Sequence, residues 1–91
     1  MDLNTKIMSS EGLVHTELED EVVVMHVVDG KYYALNAVGS AVWRKISSPI
    51  CISDVCDAIE QEFEVERDIC RRDVLALVEE LYGVDLVEIV E

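Results

Sequence analysis

The sequence predicts an α+β domain that is winged-helix-like: a three-stranded antiparallel sheet followed by three helices and a short C-terminal strand. The first observation is a β-branched run, Val22–Val28, followed by the turn pair Asp29-Gly30 and a second apolar stretch, which is typical of a β-hairpin. The second is that three successive stretches in the rest of the chain carry apolar residues at helical spacing. The third is a short apolar tail after these stretches. Strands, then helices, then one strand indicate an α+β fold.

The strands of the predicted sheet lie in the first third of the chain. Residues 1–11 are weakly patterned and are expected to be frayed or to form a short first strand. Leu13–Leu18 is predicted as a strand that ends at the polar stretch Glu19–Glu21. Val22–Val28 is apolar on both faces, which favours an inner strand.

A hairpin is predicted to connect Val22–Val28 to a returning strand, Lys31–Leu35. Both central residues of a tight hairpin turn need a positive φ, and the pair Asp29-Gly30 tolerates it. A two-residue turn places Val24 opposite Leu35 and His26 opposite Tyr33. The pattern does not decide which face of the hairpin meets the core, because both faces carry apolar residues.

The first two helices are predicted from their starts and their apolar spacing. Asn36 is a favoured N-cap residue, and the helix that it opens runs to about Ile46, before Ser47-Ser48-Pro49 ends it. Ser53 is predicted to cap the second helix. The apolar face of this second helix carries Cys56, Ile59 and Phe63.

The third helix is predicted to be the longest, from about Arg67 to Tyr82. Gly83 is predicted to end it in the left-handed conformation. Val84–Val90 is predicted as the last strand. The predicted buried stripe of the third helix consists of Cys70, Val74, Leu77, Val78 and Leu81.

Length and charge limit the function. The chain has 91 residues and a mass of 10.2 kDa, which predicts one domain with a small core and favours a binding module over a free-standing enzyme. Seven Lys and Arg stand against 20 Asp and Glu, for a formal charge of −13. Such a surface disfavours nucleic acid and anionic membranes as partners. It favours a cationic or neutral partner through long-range steering.

The N-terminus and the cysteines predict a cytoplasmic protein. Residues 1–11 lack the basic region and apolar run of a signal peptide. No apolar stretch approaches the ~18 residues that span a bilayer. The three cysteines are an odd number and cannot form a complete disulfide framework.

The residues do not indicate an enzyme, a metal site or a cofactor. A nucleophile needs an adjacent base, yet Cys56 and Cys70 fall on apolar helix stripes and His26 lies within a strand. The spacing Cys51-x4-Cys56 lacks the second ligand pair of a zinc site. The four glycines form no phosphate-binding motif.

The outer edge of Lys31–Leu35 is the first candidate for a functional surface. A strand that ends a meander and continues into a helix has an unpaired edge unless another element covers it. Such an edge can add an extended peptide through main-chain hydrogen bonds. Tyr32 and Tyr33 offer large contact areas with polar tips. The alternative interpretation is an ordinary half-buried tyrosine pair covered by the tail strand.

One flank of the third helix is the second candidate surface. Residues spaced by four, four and three line this flank, namely Arg71, Leu75, Glu79 and Tyr82. Leu75 and Tyr82 would there form one wall of a groove. The alternative is a helix margin that packs against the tail strand.

The stretch from Asp29 to Trp43 resembles the PqqD-like family, also called RiPP recognition elements. The positions that match the family signature are Gly30, Tyr32, Tyr33, Leu35, Asn36, Gly39 and Trp43. A weaker match lies in the third helix, at Asp73-Val74, Leu77, Leu81 and Gly83. The likeness extends over Gly12–Val90. The tail departs from the family pattern at Asp85, where the family usually continues directly into apolar residues.

The resemblance implies a small non-catalytic protein without a cofactor. Members of the family bind the leader segment of a ribosomally made precursor peptide and present it to modifying enzymes. The leader adds to the third strand and lies beside the third helix. The double tyrosine and the free-standing length resemble the lasso-peptide type, whose partners are a cysteine protease that removes the leader and an asparagine-synthetase-like cyclase. The alternative within the family is the pyrroloquinoline quinone pathway, where the partner is a radical enzyme.

The resulting hypothesis assigns peptide binding to two sets of residues. The strand set provides main-chain hydrogen bonds and side-chain pockets, and consists of Lys31, Tyr32, Tyr33, Ala34 and Leu35. The helix set forms the opposite wall, with Asp73 or Glu79 available to pair with a leader Lys or Arg. It consists of Arg71, Asp73, Val74, Leu75, Val78, Glu79 and Tyr82.

Three functions from other classes remain as alternatives. A winged-helix regulator would bind duplex DNA in a salt-sensitive way. Its recognition helix would need a net positive charge, but the third helix has three Arg and four acidic residues. A structural subunit would form a permanent complex through the same apolar edge. A small hydrolase using Cys51 would show rapid labelling of that thiol at neutral pH.

Overall fold

The structure is a computed structural model that describes residues 1–91. Two three-stranded antiparallel sheets pack against three helices. The elements are β1 (Lys6–Ser9), β2 (Leu13–Leu18), β3 (Glu21–His26), β4 (Lys31–Ala34), α1 (Ala37–Lys45), β5 (Ile50–Cys51), α2 (Ile52–Phe63), α3 (Arg67–Gly83) and β6 (Val87–Ile89). The predicted α+β class, the meander and the three helices are confirmed, whereas a second sheet was not predicted.

The predicted meander is the sheet β2-β3-β4, with β3 as its inner strand. β2 pairs with β3 over all six of its residues, from Leu13 opposite His26 to Leu18 opposite Glu21. β4 pairs with β3 so that Val24 lies opposite Tyr33 and His26 opposite Lys31. The predicted register of this hairpin is therefore wrong by two residues.

The loop between β3 and β4 explains the difference in register. It has four residues, Val27–Gly30, instead of the predicted two. The amide of Gly30 donates a hydrogen bond of 2.7 Å to the carbonyl of His26, and Gly30 adopts a φ of 69°. Val28 is 87% exposed, outside the strand that was predicted to include it. A shift of two residues keeps each side chain on its face, because side chains alternate along a strand.

One face of this sheet meets the core, a point that the sequence pattern left open. Val22 and Val24 are buried and Tyr33 packs against the core cluster. The opposite face carries Val23, Met25 and Tyr32, and the Tyr32 side chain is 71% exposed.

The second sheet joins the two ends of the chain, in the order β5-β1-β6. Of the two predictions for residues 1–11, the short strand is observed. Ile7 lies at its centre, fully buried and opposite both Ile50 and Ile89. The tail strand was also predicted, but its pairing with β1 and the two-residue strand β5 were not. The C-terminus therefore belongs to a different sheet from the hairpin.

The helix starts differ in how they are capped. The Asn36 side chain accepts a hydrogen bond of 2.8 Å from the Gly39 amide, as predicted for the cap of α1. α2 begins one residue after Cys51, so the prediction of Ser53 as its cap is wrong. The amides of Ile52 and Ser53 instead donate to main-chain carbonyls of Thr5 and Leu3. Backbone from the N-terminal segment thus satisfies the free amides of this helix, which local sequence could not reveal.

The end of α3 also corrects a prediction. Gly83 is the last helical residue, and the left-handed conformation occurs two residues later, at Asp85 with a φ of 63°. The amide of Leu86 donates to the carbonyl of Leu81 at 2.9 Å, and that of Asp85 to the carbonyl of Tyr82 at 3.2 Å. These two hydrogen bonds form a Schellman motif, in which Leu81 and Leu86 are both buried. The departure from the family pattern at Asp85 is therefore the helix stop, since Asp tolerates the left-handed region better than most residues.

One apolar cluster of 18 buried residues joins the sheets and helices. α3 contributes Cys70, Val74, Val78 and Leu81 to it, as its predicted stripe requires. Leu77, also predicted there, is only partly buried. None of the helices has the combination of length and hydropathy that spanning a membrane requires.

Candidate functional site

The outer edge of β4 is open. β4 is the last strand of its sheet, and the C-terminal strand β6 pairs with β1 in the other sheet. The tail therefore does not cover this edge, and the interpretation of a tyrosine pair covered by the tail strand is wrong.

The hydrogen-bonding pattern shows which main-chain groups face this edge. The amide of Leu35 donates to the carbonyl of Val22 at 2.9 Å, toward β3. Hydrogen-bonding directions alternate along an antiparallel strand, so Lys31 and Tyr33 also point their main-chain groups toward β3. The N–H and C=O groups of Tyr32 and Ala34 therefore point outward. They form a row of unpaired donors and acceptors that another strand can use.

A groove of about 450 Å³ lies between β4 and the C-terminal half of α3. Seven of its ten lining residues are hydrophobic. The lining consists of Tyr32, Tyr33, Ala34, Leu35, Asn36, Gly39, Leu77, Glu80, Leu81 and Val84. An apolar groove beside an unpaired strand edge is the geometry that accepts an extended peptide, with the edge binding its backbone and the groove its side chains.

The first turn of α1 forms part of this groove and needs a glycine there. A Cβ atom on Gly39 would lie 3.3 Å from both the Asn36 Oδ1 atom and the Leu35 Cβ atom, and 3.8 Å from Leu77 Cδ2. The helix cap, the end of β4 and α3 thus meet at Gly39. A side chain at this position would require Asn36 and Leu35 to shift by a few tenths of an ångström.

Ser40 fixes the end of β4 from inside the protein, and sequence reasoning missed it. Its Oγ atom accepts a hydrogen bond of 2.8 Å from the Val22 amide and donates one of 3.2 Å to the Leu35 carbonyl. The residue is fully buried. A serine between Gly39 and the apolar residues Ala41 and Val42 was the one available signal, since a buried hydroxyl needs partners.

The helix wall of the groove is not the predicted one. α3 contributes Leu77, Glu80 and Leu81, and its C-cap residue Val84 also lines the groove. None of these four was in the predicted helix set. Two members of that set, Val74 and Val78, lie in the core and are unavailable to a ligand.

The other members of the predicted helix set also lie away from the groove lining. The Arg71 guanidinium lies 3.8 Å from the Asp57 carboxylate on α2, so its flank faces α2 and not β4. Leu75, Glu79 and Tyr82 do not line the groove. Asp73 is exposed and lies 3.4 Å from Arg72. Spacing along α3 placed Arg71, Leu75, Glu79 and Tyr82 on one flank but could not decide whether that flank faces the sheet.

The strand set is closer to its prediction. Tyr32, Tyr33, Ala34 and Leu35 line the groove, whereas Lys31 lies at the loop end of β4 outside the lining. Tyr33 and Leu35 are on the core side of the strand and Tyr32 is on the exposed face.

A second cavity, of about 470 Å³, lies along β2 and is mainly polar. Arg44 and Glu17 line it and form an ion pair with each other. The ring of His15 packs edge-on against Trp43, with centroids 6.4 Å apart. The Arg44 and Glu17 side chains of this cavity are thus already paired with each other. Only three of the nine residues that line the cavity are hydrophobic.

Two of the three cysteines, Cys56 and Cys70, are buried in positions unsuited to nucleophilic chemistry. Burial raises the pKa of the Cys56 thiol from 9.0 to about 11, with a further contribution from the nearby Cys70. Burial also raises the pKa of Cys70, whose Sγ atom donates to the carbonyl of Cys56 at 3.5 Å. Thiols held in the neutral form are poor nucleophiles. No group of three or more His, Cys, Asp or Glu side chains is placed to hold a metal ion.

Comparison with known proteins agrees with this geometry. The family model for coenzyme PQQ synthesis protein D (PqqD) matches residues 21–87. A comparison with curated protein sequences finds no match.

Two solved structures have similar folds. TbiB1 in complex with the TbiA(beta) leader peptide is 32% identical over 89% of this chain and 94% of TbiB1, with a TM-score of 0.82. A lasso peptide synthetase B1 complexed with its leader peptide is 22% identical over 90% of this chain and 96% of that one, with a TM-score of 0.79. The second likeness concerns the fold alone. Because the family model covers the chain from β3 to the first residue of β6 and TbiB1 matches 89% of the chain, this protein belongs to the PqqD family.

Proposed function

We propose that this protein captures the leader segment of a ribosomally made precursor peptide by strand addition to β4 and presents it to processing enzymes. The observation that carries this proposal is the open edge of β4 beside an apolar groove. The similarity to TbiB1, which was solved in complex with a leader peptide, supports the same role.

The dimensions of the site suit a short extended segment. Tyr32 to Leu35 spans about 10 Å at 3.3 Å per residue, and Leu77 to Val84 spans about 10 Å of helix at 1.5 Å per residue. Four or five extended residues fill this length. Main-chain groups of Tyr32 and Ala34 bind the peptide backbone, and alternate peptide side chains enter the groove between Tyr33 and Leu77.

The protein acts in this proposal as a cytoplasmic carrier without catalysis of its own. Its partners are the precursor peptide and the enzymes that cut and cyclise it, a cysteine protease and a cyclase of the lasso-peptide type. The match to TbiB1 over nearly the whole chain favours this pathway. The description of the family model favours the second candidate, a carrier for the radical enzyme of pyrroloquinoline quinone synthesis.

The substitution Ala34→Pro tests strand addition directly. Proline removes the Ala34 N–H, which points to the open edge, and leaves the hydrogen bonds between β4 and β3 intact, so an edge strand tolerates it. A lost main-chain hydrogen bond, together with an unsatisfied carbonyl on the peptide, costs about 1–3 kcal/mol. We expect the dissociation constant to rise by roughly ten- to a hundredfold.

The measurement is fluorescence polarisation with a labelled TbiA(beta) leader peptide, the ligand in the TbiB1 structure. Ala34→Thr is the matched control, because it enlarges the side chain at the same groove-lining position but keeps the N–H. Binding by Ala34→Pro that equals wild-type binding, in a variant with an unchanged circular dichroism spectrum, contradicts capture through β4.

A further inference from the structure

The groove beside β4 contains a single charged residue. Of its ten lining residues, seven are hydrophobic and only Glu80 carries a charge. The side-chain oxygen of Asn36 is already engaged by the Gly39 amide. Glu80 is therefore the one group there that can distinguish a charged ligand side chain from a neutral one.

No cation of this chain neutralises Glu80. The ion pairs of the structure are Arg44 with Glu17, Lys45 with Glu62, Arg71 with Asp57 and Arg72 with Asp73. The remaining basic side chains, Lys6, Lys31 and Arg67, form no ion pair. A carboxylate beside apolar surface gains most from a partner that arrives with the ligand, since closing the groove over it removes water.

The position of Glu80 on α3 defines the kind of peptide that it selects. Glu80 lies one turn after Leu77 and one turn before Val84, so apolar residues flank it along the groove wall. Side chains that enter the groove from an added strand are two residues apart, about 6.6 Å. A basic side chain opposite Glu80 therefore has apolar neighbours two positions away on the peptide.

We infer that Glu80 makes this groove selective for an extended peptide with one Lys or Arg among apolar groove-facing residues. This inference rests on the proposed capture of a peptide at β4 and adds the chemistry of the residue that is selected. An exposed or half-exposed ion pair favours the cationic peptide by about threefold in affinity. This preference falls as salt rises from 50 mM to 500 mM, because salt screens the pair.

The formal charge of −13 attracts any cationic peptide. The experiment must therefore distinguish an ion pair at Glu80 from this long-range attraction. Glu80→Gln and Glu79→Gln change the net charge equally and lie side by side on α3. Glu79 is exposed and does not line the groove, which makes its variant the matched control. A general field effect changes both variants alike, whereas a pair in the groove changes only Glu80→Gln.

A phage-displayed library of random twelve-residue peptides provides the probe. Binders are selected on the wild type, Glu80→Gln and Glu79→Gln, and those that also bind Ala34→Pro are discarded. We expect Lys or Arg at one position, with apolar residues two positions away, in the wild-type and Glu79→Gln pools. We expect this basic position to disappear from the Glu80→Gln pool, and a Lys-to-Gln change in a selected peptide to weaken wild-type binding about threefold.

The outcomes separate the two proposals. The same basic position in the Glu80→Gln pool, or its absence from the wild-type pool, overturns selection by Glu80 and leaves peptide capture standing. Pools in which every binder also binds Ala34→Pro overturn capture at β4, and the inference about Glu80 with it.

Discussion

Replacing Ser40 with alanine tests whether a buried hydroxyl holds the functional edge in place. Its Oγ atom connects the first residues of β3 to the residue that follows β4, through the Val22 amide at 2.8 Å and the Leu35 carbonyl at 3.2 Å. Val22 and Leu35 are themselves buried, so water cannot replace the lost partner. Alanine removes both hydrogen bonds at once.

The expected cost follows from these contacts. A buried amide or carbonyl without a partner costs about 1–3 kcal/mol, the carbonyl less than the amide. The higher helix propensity of alanine offsets about 0.5 kcal/mol of this loss, because residue 40 lies within α1. The net loss of unfolding free energy is therefore about 2–3 kcal/mol, which lowers Tm by roughly 10–20 °C in a domain of this size.

The assay is urea unfolding followed by the fluorescence of Trp43, the single tryptophan of the chain. Trp43 is buried in α1, three residues after Ser40, and reports on the packing of this helix. Ser48→Ala, an exposed serine in the following loop, is the control and should stay within about 0.5 kcal/mol of the wild type. A Ser40→Ala variant as stable as this control would refute the argument that the hydroxyl holds the end of β4.

Two further predictions concern stability. Asp85→Gly should stabilise the protein by roughly 0.5–1 kcal/mol in urea unfolding, because Asp85 has a φ of 63° at the end of α3 and glycine favours that conformation; the same substitution at the helical Asp73 should destabilise, and equal effects at both sites would contradict the Schellman stop. The pKa of Cys56, raised from 9.0 to about 11, means that the folded state holds this proton more tightly than the unfolded state. The contribution of this thiol to the free energy of unfolding is complete below pH 9 and is lost as the pH rises toward 11. Between pH 8 and 10.5 the unfolding free energy of the wild type should therefore fall by about 1–2 kcal/mol more than that of Cys56→Ala. Equal falls in the two proteins would show that the thiol is not shielded from water.

Local signals in the sequence predicted those elements whose stabilising contacts lie nearby in the chain. Asn36 opens α1 because its own side chain caps an amide three residues later. Four of the five residues of the predicted α3 stripe are buried because helical spacing places them on one face. The position of β4 as the last strand of its meander follows from a hairpin that continues directly into a helix.

One prediction failed locally: the hairpin turn has four residues where the Asp29-Gly30 pair suggested two. Other predictions failed where a distant segment supplied the deciding contact. α2 starts before Ser53 because backbone of Leu3 and Thr5 receives its first amides. The groove wall was placed on the Arg71 flank of α3, although that flank packs toward Asp57 on α2.

What the amino-acid order determined by itself is the succession of strands and helices, the acidic surface and the hairpin that ends in Tyr32-Tyr33-Ala34. These depend on periodicity and short-range hydrogen bonds, which a linear pattern contains. Only the tertiary structure decided that β6 pairs with β1 and leaves β4 free, and that Glu80 rather than Glu79 lies in the groove. Strand partners and helix rotation depend on how separate segments share one core, and neighbouring residues along the chain do not specify that arrangement.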